Sequence, residues 1–303
     1  MADEIFKIKT ITQLHELIGS AKPKHPLISV IDVDDLPQKP EFVGVKMSAD
    51  FYMISMKEHD CGMQYGRNYY DFEEGALIFT APGQVITATE PTTEVKNEGW
   101  ILFFHPDLIR KTPLGERIDD YSFFDYESNE ALHLSDEEKQ IIKACVKNIE
   151  LEYNSNTDGH SQSLFVSNLE LILNYSKRFY DRQFHTRTTK NKDVVSEFEH
   201  HLKDYFKSED LTNLGQPSAS YLANKVHLSP NYLSDLLKKE TGKNIKEHVN
   251  EVVVNKAKNM LLSTNKSVSE IAYDLGFNYP HYFSRMFKAQ TGFTPAKYRE
   301  NIN

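Results

Sequence analysis

Within the 303 residues of this chain lies an internal repeat, which limits more than any other feature how the C-terminal part can fold. One copy reads Tyr221-Leu-Ala-Asn-Lys-Val-His-Leu-Ser-Pro-Asn-Tyr-Leu-Ser-Asp-Leu-Leu-Lys238 and ends at Thr241-Gly242. The other reads Glu270-Ile-Ala-Tyr-Asp-Leu-Gly-Phe-Asn-Tyr-Pro-His-Tyr-Phe-Ser-Arg-Met-Phe-Lys288 and ends at Thr291-Gly292. Leu222-Ala223 aligns with Ile271-Ala272, and Leu228 with Phe277, at an offset of 49 residues. After one extra residue in the second copy, Tyr232-Leu233-Ser234 aligns with Tyr282-Phe283-Ser284, and Leu237-Lys238 with Phe287-Lys288. Such self-similarity means one supersecondary unit built twice.

Each copy has the chemistry of two short helices joined by a tight turn. Ala223 and Ala272 are small where the next helix must cross closely, and His227 and Gly276 stand where the chain turns. A cap follows: Ser229 with Pro230 at the first helical position, or Asn278 ahead of Tyr279-Pro280. The second helix is predicted to bury Tyr232, Leu233, Leu236 and Leu237, or Tyr282, Phe283, Met286 and Phe287. It should end in a left-handed cap at Gly242 or Gly292. Ser267 and Glu270 add a capping box to the second copy. A pair of plain helical hairpins could share this pattern once. Two copies with a helix between them point to a double-stranded DNA-binding module.

Residues 217–299 resemble the C-terminal domain of the AraC/XylS family of transcription regulators. The resemblance is carried by Ser267-Val-Ser-Glu-Ile-Ala-Tyr-Asp-Leu-Gly-Phe277, by Tyr282-Phe-Ser-Arg-Met-Phe-Lys288 and by Thr291-Gly-Phe-Thr-Pro-Ala-Lys-Tyr-Arg299. It implies seven helices, with two helix-turn-helix units joined by a long helix over about 245–262. Two recognition helices would then enter successive major grooves on one face of the DNA. It further implies a bacterial regulator that works with RNA polymerase.

The recognition helices should begin near Pro230 and Tyr279. Asn231, Ser234, Asp235 and Lys238 then point outward from the first, and Tyr279, Pro280, His281, Ser284, Arg285 and Lys288 from the second. Arg285 could read guanine or contact a phosphate, Asn231 suits adenine, and Asp235 could accept from cytosine N4. Lys238, Lys239 and Lys288 suit phosphates, a salt-sensitive part of affinity. Three departures from the family pattern stand out: His227 where Gly is usual, acidic Asp235 facing phosphates, and Glu251 and Val253 where related proteins often have Arg.

Net charge alone argues against a nucleic-acid partner, being −9. Its distribution does not. Residues 217–303 hold 12 Lys and Arg against 7 Asp and Glu, a surplus of +5, which leaves −14 on residues 1–216. There are two cysteines, Cys61 and Cys145, far apart and outside any C-x-x-C pattern, which suggests a reducing compartment. With no membrane-length apolar run and no secretory leader, a cytoplasmic protein without membrane contact is expected.

The N-terminal part reads as β structure to about residue 125. Phe51-Tyr-Met-Ile-Ser-Met56, Ala76-Leu-Ile-Phe-Thr80 and Trp100-Ile-Leu-Phe-Phe104 are separated by turn residues. Ser135 and Glu138 then form a capping box ahead of Ile141, Ile142, Cys145, Val146 and Ile149. A second helix over about 162–182 carries a heptad-like seam of Phe165, Leu169, Ile172 and Phe179, either core packing or a homodimer interface. Polar residues 183–192 read as a linker.

Tyr70-Asp-Phe-Glu-Glu-Gly-Ala-Leu-Ile-Phe-Thr-Ala-Pro-Gly-Gln84 and Gly99-Trp-Ile-Leu-Phe-Phe-His-Pro-Asp-Leu-Ile109 are similar to the cupin-like sensor domain of many AraC-type proteins. The expected fold is thus two-domain α+β. A cupin-like β-barrel spans 1–130, a helical connector and linker 131–192, and an all-α double helix-turn-helix domain 193–303. Tyr52, Ile54, Met56 and Phe103 could line a barrel cavity for a small-molecule effector, or simply fill it. No cofactor or metal is expected, because there is no H-x-H pair, nucleophile elbow or Gly-rich phosphate loop. His59 and His105 read as structural, and His200-His201 as lying on a surface helix. Three readings stay open: a ligand-controlled regulator, a regulator whose barrel only dimerises, and a cupin enzyme with an appended DNA-binding domain.

Overall fold

The structure, a computed structural model, describes residues 5–33, 36, 45–57, 63–64, 75–88, 99–127, 130–186 and 188–302. His59 and Cys61 lie outside these residues. The chain forms two compact units, residues 1–186 and 187–303. Among the described residues no helix is long and apolar enough to cross a membrane.

The N-terminal unit begins with β1 (Phe6–Ile8), α1 (Ile11–Ile18), β2 (Ile28–Asp32), β3 (Lys46–Ala49), β4 (Tyr52–Lys57) and β5 (Met63–Gln64). It continues with β6 (Ala76–Thr80), β7 (Val85–Ala88), β8 (Gly99–Phe104), α2 (Pro106–Ile109), α3 (Pro113–Arg117) and β9 (Leu132–His133). Helices α4 (Asp136–Asn154) and α5 (Ser161–Thr186) close it. The three apolar runs are β4, β6 and β8. They pair in a five-stranded sheet of order β2-β8-β4-β6-β9, while β1-β3-β7-β5 form a second sheet. The described strands therefore make two open sheets, not the closed barrel expected from the sequence.

Register decides what each face does, because side chains alternate along a strand. Tyr52 pairs with Phe104, Ile54 with Leu102 and Phe79, and Met56 with Leu77, so these share one face. That face meets the helical layer: Phe79 packs on Phe123, Phe124 and Tyr180, and Tyr52 stacks on Phe104 at 4.8 Å. The opposite face presents Met53, Ser55, Ile78, Thr80, Ile101 and Phe103. There Met53, Ile101 and Phe103 share a core with Ile8, Ile11, Leu14, Met47 and Ile86 from β1, α1 and the second sheet. The four suggested cavity residues thus do not share one sheet face. Tyr52, Ile54 and Met56 face the helices, and Phe103 faces the other way.

Helix α4 opens on the expected reciprocal cap of Ser135 and Glu138, and buries Ile142, Cys145, Val146 and Ile149. On α5, Phe165, Leu169, Ile172 and Phe179 are all buried within this single chain. Burial also pushes the Cys145 thiol above its ordinary range.

The C-terminal unit contains α6 (Thr188–Tyr205), α7 (Asp210–Leu214), α8 (Ala219–Lys225), α9 (Pro230–Thr241), α10 (Ile245–Ser263), α11 (Val268–Asp274), α12 (Pro280–Thr291) and α13 (Pro295–Ile302). Among the described residues that is eight helices, one more than the resemblance implies; the short α7 is the addition. The segment expected as a linker is helical, in α5 up to Thr186 and in α6 from Thr188. Residues 183–192 contain neither Gly nor Pro, and polarity alone does not stop a helix. One core runs through both halves of the repeat: Leu222, Ala223, Leu233 and Leu237 from the first, Ile271, Ala272, Phe283 and Phe287 from the second. Val253, Val254, Ala257 and Leu261 of α10 join them. Each large side chain so buried stabilises the fold by roughly 1.5–3 kcal/mol before entropy is counted.

Candidate nucleic-acid interface

Both helix-turn-helix units are present, α8 with α9 and α11 with α12. The Ser229 side chain accepts from the Tyr232 amide at the start of α9, with Pro230 in the first turn. Helix α12 differs from expectation. Its cap is Tyr279, not Asn278, and no side chain accepts there. Pro280 at the first helical position fixes the cap one residue before it, and the extra residue of the second copy has moved Asn278 out of reach. Both recognition helices end on left-handed glycines, Gly242 at φ 77° and Gly292 at φ 79°.

The same lock closes each helix. Thr241 Oγ1 donates to the Leu237 carbonyl at 2.7 Å, and Thr291 Oγ1 to the Phe287 carbonyl at 2.8 Å. In the first copy His248 is added, its Nε2 2.8 Å from Thr241 Oγ1. Helix α10 starts with a reciprocal cap of Asn244 and Glu247 and contributes side chains to the core shared by the two halves. Val253 is fully buried in it and Glu251 is paired with Lys243 at 2.8 Å.

The turns differ in a telling way. His227 takes the left-handed conformation at φ 57°, as its repeat partner Gly276 does at φ 78°. His227 is exposed, so that turn costs only backbone strain. A Cβ on Gly276 would instead lie 2.9 Å from the Gln216 nitrogen and 3.0 Å from the Gly215 carbonyl carbon.

Among the DNA-facing candidates, Lys238, Lys239, Tyr279, His281, Arg285 and Lys288 are exposed, while Asn231, Ser234, Asp235, Pro280 and Ser284 are half-buried. One residue was assigned to the wrong side. Tyr282 is 47% exposed, whereas its repeat partner Tyr232 is 5% exposed. Helix α6 packs over α8 and α9, while the outer neighbour of α12 is α13. No local spacing in the repeat encodes that extra layer. The Tyr282 ring lies tilted against His281, 4.2 Å between centroids, and 6.0 Å from Tyr279, giving α12 an aromatic patch beside Arg285.

His105 caps α2 by accepting from the Asp107 amide, and His200 and His201 lie on α6 beside Asp204 and Glu197. Among the described residues no three His, Cys, Asp or Glu side chains converge as a metal site.

Residues 222–301 match the family model described as a helix-turn-helix domain. The chain is 35% identical over 141 residues to the HTH-type transcriptional regulator YfiF of Bacillus subtilis, covering 46% of this chain and 41% of that protein. It is 40% identical over 91 residues to the transcriptional regulatory protein YesN of Bacillus subtilis, covering 28% and 25%. Among solved structures, the C-terminal domain of the two-component response regulator yesN from Fusobacterium nucleatum is similar at 29% identity and a TM-score of 0.32, covering 35% of this chain and 98% of that one. The chain spans less than half the length of these curated relatives. By repeat, caps and family match together, the C-terminal unit carries a helix-turn-helix domain similar to those of HTH-type transcriptional regulators.

Proposed function

We propose that the whole protein is a sequence-specific transcription regulator whose helices α9 and α12 read two boxes on one face of a duplex. The observation that carries this reading is the doubled helix-turn-helix on a single core, with Lys238, Lys239, Arg285 and Lys288 exposed on the paired recognition helices. Selection of bound sequences from a random duplex library, with salt titrated, tests it. Two boxes about one helical turn apart support it. Binding that is sequence-independent and vanishes with salt would reduce the domain to a general polyanion contact.

Control by a small molecule at the N-terminal unit is part of the same proposal. Ser55 Oγ and Thr80 Oγ1 are buried and without a hydrogen-bond partner among the described residues. They lie on the sheet face shared with Phe103, two residues out of register on neighbouring strands. A buried hydroxyl is costly unless something satisfies it, so a ligand with a polar group suits this face. A ligand screen by melting temperature, repeated on Thr80→Val, checks this part; a shift that survives the substitution places the ligand elsewhere.

A further inference from the structure

We infer that residues 211–216 form a positioning strut which holds the second helix-turn-helix at a fixed offset from the first, and thereby sets the box spacing the protein accepts. The inference rests on the two-box reading above. Helix α10 is one covalent link between the two helix-turn-helix motifs. A second path runs outside it. The Tyr221 ring on α8 stands edge-on to Tyr205, 5.0 Å between centroids. The Tyr205 hydroxyl donates to the Gly215 carbonyl at 2.9 Å. Gly215, at φ 81°, lies so close to the second turn that a Cβ there would be 3.2 Å from the Gly276 carbonyl oxygen. Gln216 Nε2 reaches the Leu275 carbonyl at 3.4 Å, and α7 packs on α11.

The contact at Gly276 is backbone against backbone, with no rotamer that could yield. This explains why the repeat differs at one position. A left-handed turn is satisfied by His227 in the first copy, so φ alone does not demand glycine in the second. What demands it is the strut, since a side chain at 276 would strike Gln216, Gly215 and Leu211. On DNA, each inserted base pair moves a box by about 3.4 Å and turns it by about 35°. Two readers joined by α10 alone could pivot to follow; readers clamped at the turn as well could not.

The test uses the full chain and duplexes bearing both selected boxes, with the separation changed by one and two base pairs either way, plus a duplex with the second box alone. Gly276→His installs the residue its own repeat partner carries, and Tyr205→Phe removes one hydroxyl while keeping the ring. The wild type is expected to lose about tenfold in affinity for each base pair off the best spacing. In Gly276→His that preference should fall below about threefold when each affinity is taken relative to the variant's own single-box affinity. Tyr205→Phe should flatten the profile in the same direction, and it carries the test if Gly276→His does not melt cooperatively. Variant profiles that superimpose on the wild type would overturn the strut. So would an equal loss at every spacing and on the single box, which would confine Gly276 to its own turn. A wild type with paired boxes but no spacing preference also removes the strut and leaves the two-box reading standing; a wild type without paired boxes removes both.

Discussion

The Arg285 guanidinium lies over the ring of Tyr282, 5.3 Å from its centroid, on the exposed side of α12. A cation held against an aromatic face loses less freedom when it meets a base edge. In the first copy the matching position is Asp235, so the two recognition helices carry opposite charges there. Arg285→Ala should cost about 1–3 kcal/mol on the preferred sequence and relax one base position. Lys288→Ala should instead weaken all sequences alike and lower the salt slope by about one. Anisotropy titrations on preferred and scrambled duplexes at several salt concentrations separate the two. An equal loss on both duplexes for Arg285→Ala would reassign it to the backbone.

The two recognition helices should respond differently to losing their supposed caps. Ser229 accepts from the Tyr232 amide, so Ser229→Ala should destabilise by about 1 kcal/mol. Asn278 precedes the Tyr279 cap of α12, so Asn278→Ala should change stability by no more than about 0.5 kcal/mol. Urea midpoints at constant slope measure both. A comparable loss in Asn278→Ala would put the cap where the sequence alone suggested.

How much was legible follows from how local each feature is. The caps at Ser135, Ser229 and Ser267 and the left-handed stops at Gly242 and Gly292 depend on a few neighbouring residues, and all were readable. Tyr282 was not, because its exposure depends on where α6 packs. The strut was invisible for a similar reason: backbone contact between Gly215 and Gly276 leaves no side-chain pattern. Grouping Phe103 with Tyr52, Ile54 and Met56 failed on the β4–β8 register, which pairs Tyr52 with Phe104. Apolar runs identify strands, but they do not say which alternating set faces which neighbour.

The hydroxyls of Ser55 and Thr80 invite a substitution that should not hurt. An unsatisfied buried hydroxyl costs about 1–3 kcal/mol, and removing it while keeping shape returns part of that. Thr80→Val is close in shape, so it should leave the ligand-free protein equally stable or more stable by up to about 1 kcal/mol. Ser55→Ala should behave alike. Denaturant melts decide it: a clear loss in Thr80→Val would mean that its hydroxyl is partnered in solution.

His248 makes the C-terminal unit sensitive to acid. His248 Nε2 lies 2.8 Å from Thr241 Oγ1, the hydroxyl that also meets the Leu237 carbonyl at 2.7 Å. The ring also stands edge-on to Phe198, 5.4 Å between centroids. Burial is the main cause that lowers its pKa, and Lys243 lowers it further against the opposing pull of Glu199, Glu251 and Glu247. The unfolded chain takes up this proton near pH 6.5, whereas the folded one resists it to lower pH. The histidine's contribution to stability is therefore whole above about pH 6.5 and is lost as pH falls through the folded value. Melting at about pH 7.5 and about pH 5.5 should show a larger acid-induced drop for the wild type than for His248→Gln, which cannot titrate. His25, also lowered by burial, belongs to the N-terminal unit and is common to both proteins. Equal drops in the two proteins would shift the acid sensitivity from the Thr241 lock to such other groups.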